Sequence, residues 1–271
     1  MLAVDGRPIG VFDSGLGGLT VVRALIDLLP AEHLVYFGDT GRFPYGPKPR
    51  EEVLKYALEI TELLMGHDVK LVVVGCNSAA AAALADLRAR YEVPLTGVIE
   101  PGLQAAAKAT RSGRVGVIGT VGTIASGAYQ RAAAARWPHI TLTCAACPGF
   151  VEFVEAGDVD SDQVFVLAER LLAPVRAAGV DTLVLGCTHY PLLARTIGDV
   201  MGRDVVLVSS GEETAFEVAG VLDAVGARRP SGGGGPARRT FLTSGDPATF
   251  RTLGSRFLGP EVDSVEAWRW S

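Results

Sequence analysis

Two apolar runs of the same design constrain this chain more than anything else in it. Leu71-Val72-Val73-Val74-Gly75-Cys76-Asn77-Ser78 leads into an alanine-rich stretch. Thr182-Leu183-Val184-Leu185-Gly186-Cys187-Thr188-His189-Tyr190-Pro191 repeats the plan 111 residues later. Short unbroken aliphatic runs read as strands buried on both faces, the pattern of a parallel sheet covered by helices. Each cysteine then falls where a strand gives way to a helix. Ligands of open α/β sheets bind at the carboxyl ends of the strands. A helix N-terminus there offers unpaired N–H groups and a positive partial charge, which favour thiolates and carboxylates.

The rest of the chain fits around these runs. Ile9-Gly10-Val11-Phe12 reads as a first strand. The turn Asp13-Ser14-Gly15-Leu16-Gly17-Gly18-Leu19-Thr20 then opens a helix that stops at Pro30. Its glycines do not complete a dinucleotide fingerprint, because Thr20 stands where the last glycine would fall. A second strand is expected over 33–37. It is followed over 38–49 by a Gly/Pro-rich segment with Phe43-Pro44-Tyr45-Gly46, which reads either as a cover for a pocket or as an ordinary connection. Helical spacing of apolar residues predicts a helix over 50–66, and the alanine run another over 79–91. A strand over 95–99 is expected to close at Glu100-Pro101-Gly102, before a helix over 103–110. Val115-Gly116-Val117-Ile118-Gly119-Thr120 opens like the start of the chain, with a helix from about 124. A strand over 141–144, a helix over 162–178 interrupted or kinked near Pro174, the Cys187 strand and a helix from 192 follow. A strand over 205–208 and a helix over 212–225 come next. Ser231-Gly232-Gly233-Gly234-Gly235-Pro236 reads as a flexible surface linker. A strand over 239–243, a helix capped by Asp246-Pro247 and a last short strand within 262–270 complete the order.

Strand and helix alternate throughout, so the class is α/β. The first strand recurs after about 106 residues and the Gly-Cys turn after 111. These matching offsets predict two similar, pseudo-symmetric α/β domains with largely parallel sheets, residues 1–98 with 209–271 and residues 99–208. The cleft between them is the expected active site.

Composition excludes several classes. The net charge is −5 and no long basic run exists, so direct nucleic-acid binding is not expected. No apolar run approaches the ~20 residues of a membrane span. The first eight residues carry charges and lack a signal-peptide core. Four cysteines among 271 residues are not a secreted disulfide framework. These features predict a cytoplasmic protein. The four lysines, Lys48, Lys55, Lys70 and Lys108, do not end apolar strands, which argues against a Schiff-base cofactor.

A single free cysteine is most often buried and inert. Two cysteines after glycine at matching strand ends point to chemistry on two sides of one small molecule. A hydrolase or transferase needs one nucleophilic thiol. Two thiols facing one carbon suit proton removal by one and proton delivery by the other, which is racemisation or epimerisation without a cofactor. One sulfur must be thiolate while the other is thiol, and the roles exchange with direction.

Taken together, Phe12-Asp13-Ser14-Gly15-Leu16-Gly17-Gly18, Gly38-Asp39-Thr40, Pro44-Tyr45-Gly46, Cys76-Asn77-Ser78 and Leu185-Gly186-Cys187-Thr188-His189-Tyr190-Pro191 resemble glutamate racemase, within the cofactor-independent aspartate/glutamate racemases. The resemblance covers nearly the whole chain. It implies interconversion of L- and D-glutamate for peptidoglycan synthesis, no cofactor and no metal, and a homodimer. By matching position, Cys76 and Cys187 would be the two proton donor/acceptors, with Asp13 and His189 as their polar neighbours and Glu155 on the His189 side. Asp13, Ser14, Tyr45, Gly46, Asn77, Ser78, Thr188 and His189 would hold the substrate. A carboxylate raises a neighbouring thiol's pKa, so Asp13 makes better sense as a proton acceptor or ammonium partner than as a thiolate stabiliser. His189 would stabilise a thiolate only while protonated. Two departures stand out. Ser78 replaces the threonine usual after Cys-Asn, and Glu152 stands where proline is expected, leaving both Glu152 and Glu155 as candidates for the site.

Three rival readings remain. Cys144-Ala145-Ala146-Cys147 has the spacing of a redox pair or half a zinc site, but no second close pair completes a zinc site. Racemisation of aspartate or a hydantoin would share the thiol chemistry and differ in the pocket. Some members of the resembled family bind DNA gyrase; here charges of both signs are mixed, so the sequence gives that partner no support.

Overall fold

The computed structural model describes residues 5–230 and 235–270. The expected linker lies largely outside these residues. In chain order the first half runs β1 Ile9–Asp13, α1 Leu19–Leu28, β2 Leu34–Gly38, α2 Arg50–Gly66, β3 Leu71–Val74, α3 Asn77–Arg90, β4 Leu95–Gly97 and α4 Ile99–Ala109. It continues with β5 Arg114–Gly119, α5 Val121–Ala125, α6 Ala128–Arg136, β6 Thr141–Ala146, α7 Phe150–Ala156, α8 Asp162–Ala177, β7 Thr182–Gly186, α9 Ala194–Met201, β8 Val206–Ser209 and α10 Ser210–Ala224. The chain closes with β9 Arg239–Thr243, α11 Pro247–Leu258 and β10 Glu266–Ala267.

The strands form two sheets, β10-β9-β2-β1-β3-β4 and β6-β5-β7-β8, and every pairing is parallel. Parallel strands need both faces covered, and β1, β2, β3 and β7 are buried along their whole length. The orders β2-β1-β3-β4 and β6-β5-β7-β8 are the same topology, met twice. In each, the order reverses beside the first strand of the unit, between β1 and β3 and between β5 and β7. The crevice at such a reversal is where α/β folds take ligands. Cys76 follows β3 and Cys187 follows β7, so the two Gly-Cys turns occupy equivalent corners.

Three local expectations are corrected. The fourth strand is shorter than expected, and α4 begins at Ile99 with Pro101 in its first turn. Proline lacks an N–H that this turn would leave unpaired anyway, so it starts the helix instead of delaying it. Pro174 does not interrupt α8, which runs unbroken from its Ser161 cap, whose hydroxyl accepts from the Val164 N–H, to Ala177. The segment after Cys187 is not yet α-helix: Tyr190–Leu193 is a 3-10 turn, and α9 starts only at Ala194.

The alanine run in α3 places Ala79, Ala80 and Ala83 in the core, with no long side chain to hold the helix off its neighbours. No described helix is long and apolar enough to cross a membrane. Buried Lys70, at the start of β3, pairs with equally buried Glu32 at 2.6 Å and donates to the carbonyls of Asp5 and Ala227. The end of the sheet away from the Gly-Cys turns is thereby tied to both flanking segments.

Candidate active site

Cys76 is the N-cap of α3: its sulfur accepts from the Ala79 N–H at 3.5 Å and lies 3.7 Å from the Ser14 hydroxyl. The Ser14 hydroxyl in turn donates to Asp13 Oδ1 at 3.3 Å. Asp13, fully buried at the end of β1, also accepts from the Gly15 N–H at 2.7 Å and the Thr188 hydroxyl at 3.1 Å. Burial raises the Cys76 thiol to about 12, and the Asp13 charge pushes the same way against the hydrogen bonds. Burial also raises the Asp13 carboxyl, while His189 and the three donors oppose it.

The second turn carries the opposite charge. Cys187 Sγ lies 3.9 Å from His189 Nδ1, and His189 Nε2 lies 3.3 Å from Glu155 Oε1. Burial disfavours the imidazolium, but the hydrogen bonds to Cys187 and Glu155 and the Asp13 charge outweigh it, raising His189 to about 10. Phe43 and Phe257 flank the imidazole, with ring centroids 6.0 and 5.6 Å away. Gly17 explains the glycine-rich turn after β1. A Cβ there would come within 2.5 Å of His189 Nδ1, so the absence of a side chain at this position leaves room for the imidazole.

Cys76 and Cys187 line one cavity of about 120 Å³, the scale of a small metabolite and not of a nucleotide. Ser14, Tyr45, Gly46, Asn77, Ser78, Thr188 and His189 line it too, whereas Asp13 and Glu155 stand behind the wall. Glu152 reaches the lining and Glu155 reaches His189, so the two glutamates take different places. Asn77 donates through Nδ2 to the Tyr129 hydroxyl at 2.8 Å, and its buried Oδ1 has no partner among the described residues. Ser78 Oγ meets the hydroxyls of Thr120 and Thr123 at 3.0 and 3.3 Å. Tyr45 is turned away from the cavity at its tip, with its hydroxyl donating to Asp39. All four cysteines are free; Cys147 borders the cavity, Cys144 sits within β6, and no metal-holding cluster of His, Cys, Asp and Glu occurs among the described residues.

Residues 9–215 match the model of the Asp/Glu/Hydantoin racemase family. The glutamate racemase of Acidothermus cellulolyticus is 54% identical over 95% of this chain and 97% of its own. The chain belongs to this family, among its glutamate racemases. Glutamate racemase isoform RacE1 of Bacillus anthracis superposes with a TM-score of 0.92 at 39% identity, over 98% of both chains. The Francisella tularensis glutamate racemase in complex with D-glutamate gives a TM-score of 0.91 at 32% identity, again over 98% of both.

Several lining residues of this racemase were not marked by the sequence reading: Thr120, Val121, Cys147, Pro148, Gly149 and Val151. A signal for the first existed, because Gly119-Thr120 follows β5 as Asp13-Ser14 ends β1. Cys147-Pro148-Gly149 follows β6 as the Tyr45-Gly46 segment follows β2, so the topological repeat points to both. No lysine or arginine lines the cavity, and His189 is the one described lining side chain that can carry positive charge.

Proposed function

We propose that this chain racemises glutamate through Cys76 and Cys187, one on each side of the substrate's α-carbon. The observation that carries this reading is the presence of both cysteines in the lining of one small cavity, at equivalent corners of two sheets that share a strand order. One thiolate takes the α-proton, and the opposing thiol delivers its own proton to the other face. The product then has inverted configuration, and the two sulfurs have exchanged protonation. Each sulfur is backed by a carboxylate through one polar group: Cys76 through Ser14 to Asp13, and Cys187 through His189 to Glu155. Burial and the Asp13 charge hold Cys76 as thiol, and the His189 imidazolium lies beside Cys187.

The unpartnered Asn77 Oδ1 is an acceptor suited to the substrate ammonium, and the backbone N–H groups at the helix starts suit its carboxylates. Ser14, the Tyr45-Gly46 backbone, Ser78 and Thr188 complete the substrate wall. Residues 1–98 with 209–271 and residues 99–208 would form the two lobes. Supply of D-glutamate for peptidoglycan, a homodimeric state and a cytoplasmic location belong to the same proposal.

The test is racemisation in deuterium oxide, followed by loss of optical signal and by NMR at the α-carbon. Wild-type product should carry deuterium, glutamate should turn over far faster than aspartate, and Cys76→Ser and Cys187→Ser should each lose racemisation by at least ~10³-fold. Full racemisation by either single variant would refute the scheme.

A further inference from the structure

The cavity wall at Tyr45-Gly46 is held from behind by the C-terminal tail. Asp39, fully buried after β2, collects four donors. Its Oδ2 accepts from Arg42 Nε at 2.7 Å and from the Tyr45 hydroxyl. Its Oδ1 accepts from the Ser244 hydroxyl at 2.6 Å and from Trp270 Nε1 at 3.3 Å. The Arg42 guanidinium lies between two aromatic faces, 4.0 Å from the Tyr56 centroid and 3.9 Å from that of Trp270, and pairs with Glu59. Trp270 also packs edge-on against Phe37 at 5.4 Å. The tail itself is fixed by the β10–β9 pairing and by the Trp268 N–H donating to the Thr243 carbonyl at 2.7 Å. At the other end of the segment, the Gly46 carbonyl accepts from the Gly122 N–H of the second sheet's half at 2.9 Å. Asp39, Arg42 and Trp270 do not line the cavity, while Tyr45 and Gly46 do.

We infer that Trp270 and Arg42 are positioning residues for racemisation: stacked on each other and joined through Asp39, they fix the Tyr45-Gly46 wall against which substrate is bound. Two features make the tail more than a passive cover. A guanidinium held between two rings cannot swing aside without losing both faces. The Asp39 carboxylate spends its acceptors on both the tail and Tyr45, so displacing Trp270 releases one restraint on Asp39 and one on Arg42 together.

The inference rests on the racemase reading, and turnover of glutamate by wild-type protein tests that reading separately. The experiment is steady-state kinetics with D- and L-glutamate for Trp270→Ala, Trp270→Phe and Arg42→Lys. The free energies of two enantiomers are equal, so kcat/KM must change equally in both directions. The informative quantity is its division between KM and kcat. Trp270→Ala is expected to raise KM about tenfold in both directions, with kcat within about threefold of wild type. Trp270→Phe keeps an aromatic face and loses the indole N–H, and should fall between the two. Arg42→Lys keeps the charge but not the plane that fills the gap between the rings, and should raise KM as Trp270→Ala does. A merely structural tail would lower the folded fraction, and with it kcat, at constant KM. Unchanged KM in Trp270→Ala therefore overturns the inference. Should that variant not fold, unchanged KM in both Trp270→Phe and Arg42→Lys overturns it equally.

Discussion

Replacing Glu155 by glutamine tests the electrostatics of the Cys187 side without disturbing its shape. The proposed substrate carries two carboxylates and one ammonium, and the described cavity lining offers one side chain able to carry positive charge, His189. Its rise from 6.5 to about 10 keeps it ionised across neutral pH, against the burial that opposes ionisation. The amide of glutamine keeps the acceptor 3.3 Å from Nε2 but removes the charge. Loss of one close carboxylate lowers a cation's pKa by about 1–2 units. The alkaline limb of kcat/KM, placed near 10 by His189, should move to about 8–9. With a limb at ~8.5, roughly a quarter of the variant is protonated at pH 9 against about nine-tenths of wild type, a loss of about fourfold that vanishes near pH 7. The substrate ammonium titrates in the same range and adds the same limb to both proteins, so the displacement between them is the measurement. Polarimetric pH profiles for both enantiomers would supply it. The linked stability has a definite sign: a base whose folded pKa is raised contributes fully below 6.5 and loses that contribution as pH rises through about 10. Coincident alkaline limbs for Glu155→Gln and wild type, or an upward displacement, would show that Glu155 does not hold the charge on His189.

Two other substitutions probe different parts of the fold. Gly17→Ala places a methyl group within 2.5 Å of His189 Nδ1 and should force the imidazole from Cys187, lowering kcat/KM by roughly 10- to 100-fold while urea unfolding changes by no more than ~2 kcal/mol. Lys70→Met leaves Glu32 buried without its cation, and urea unfolding should show a loss of about 3–5 kcal/mol. The double variant Glu32→Gln/Lys70→Met should recover a substantial part of that loss, and equal losses in the two proteins would show that the charge pairing is not what matters there.

Legibility in the sequence followed locality. The two Gly-Cys turns, the alternation of strand and helix and the roughly 110-residue repeat are local patterns, and the matched orders of the two sheets account for them. The α4 start is not legible in the sequence, because Pro101 is compatible with either a strand's end or a helix's first turn, and only packing decides between them. The C-x-x-C spacing of Cys144 and Cys147 is compatible with redox or metal chemistry and carries no mark of a cavity corner. The place of Cys147 after β6, equivalent to the Tyr45 segment after β2, is visible only once the sheets are assembled. Phe257 against His189 and Trp270 over Arg42 leave no trace in spacing at all. Each is an aromatic residue brought by α11 or the tail to a segment more than 60 residues distant in sequence, and such contacts belong to tertiary packing alone.

A repeated backbone does not require repeated electrostatics, and here the difference is chemically useful. Two identical thiols in identical surroundings would share the same preferred protonation state, leaving the cavity with two thiols or two thiolates. Neither state can accept and deliver a proton in one turnover. The equivalent corners instead carry opposite charges, Asp13 behind Cys76 and the His189 imidazolium beside Cys187. Burial with a carboxylate pushes the Cys76 thiol up, whereas Cys187 stands beside a cation, so the two sulfurs sit in unlike fields. The Thr188 hydroxyl donates to Asp13 from the residue between Cys187 and His189, so a group of the second corner meets the carboxylate behind the first. In the two-cysteine mechanism proposed above, the topology would supply the two-sided geometry, and the unlike residues grafted onto its matching corners the imbalance that proton transfer across a carbon needs.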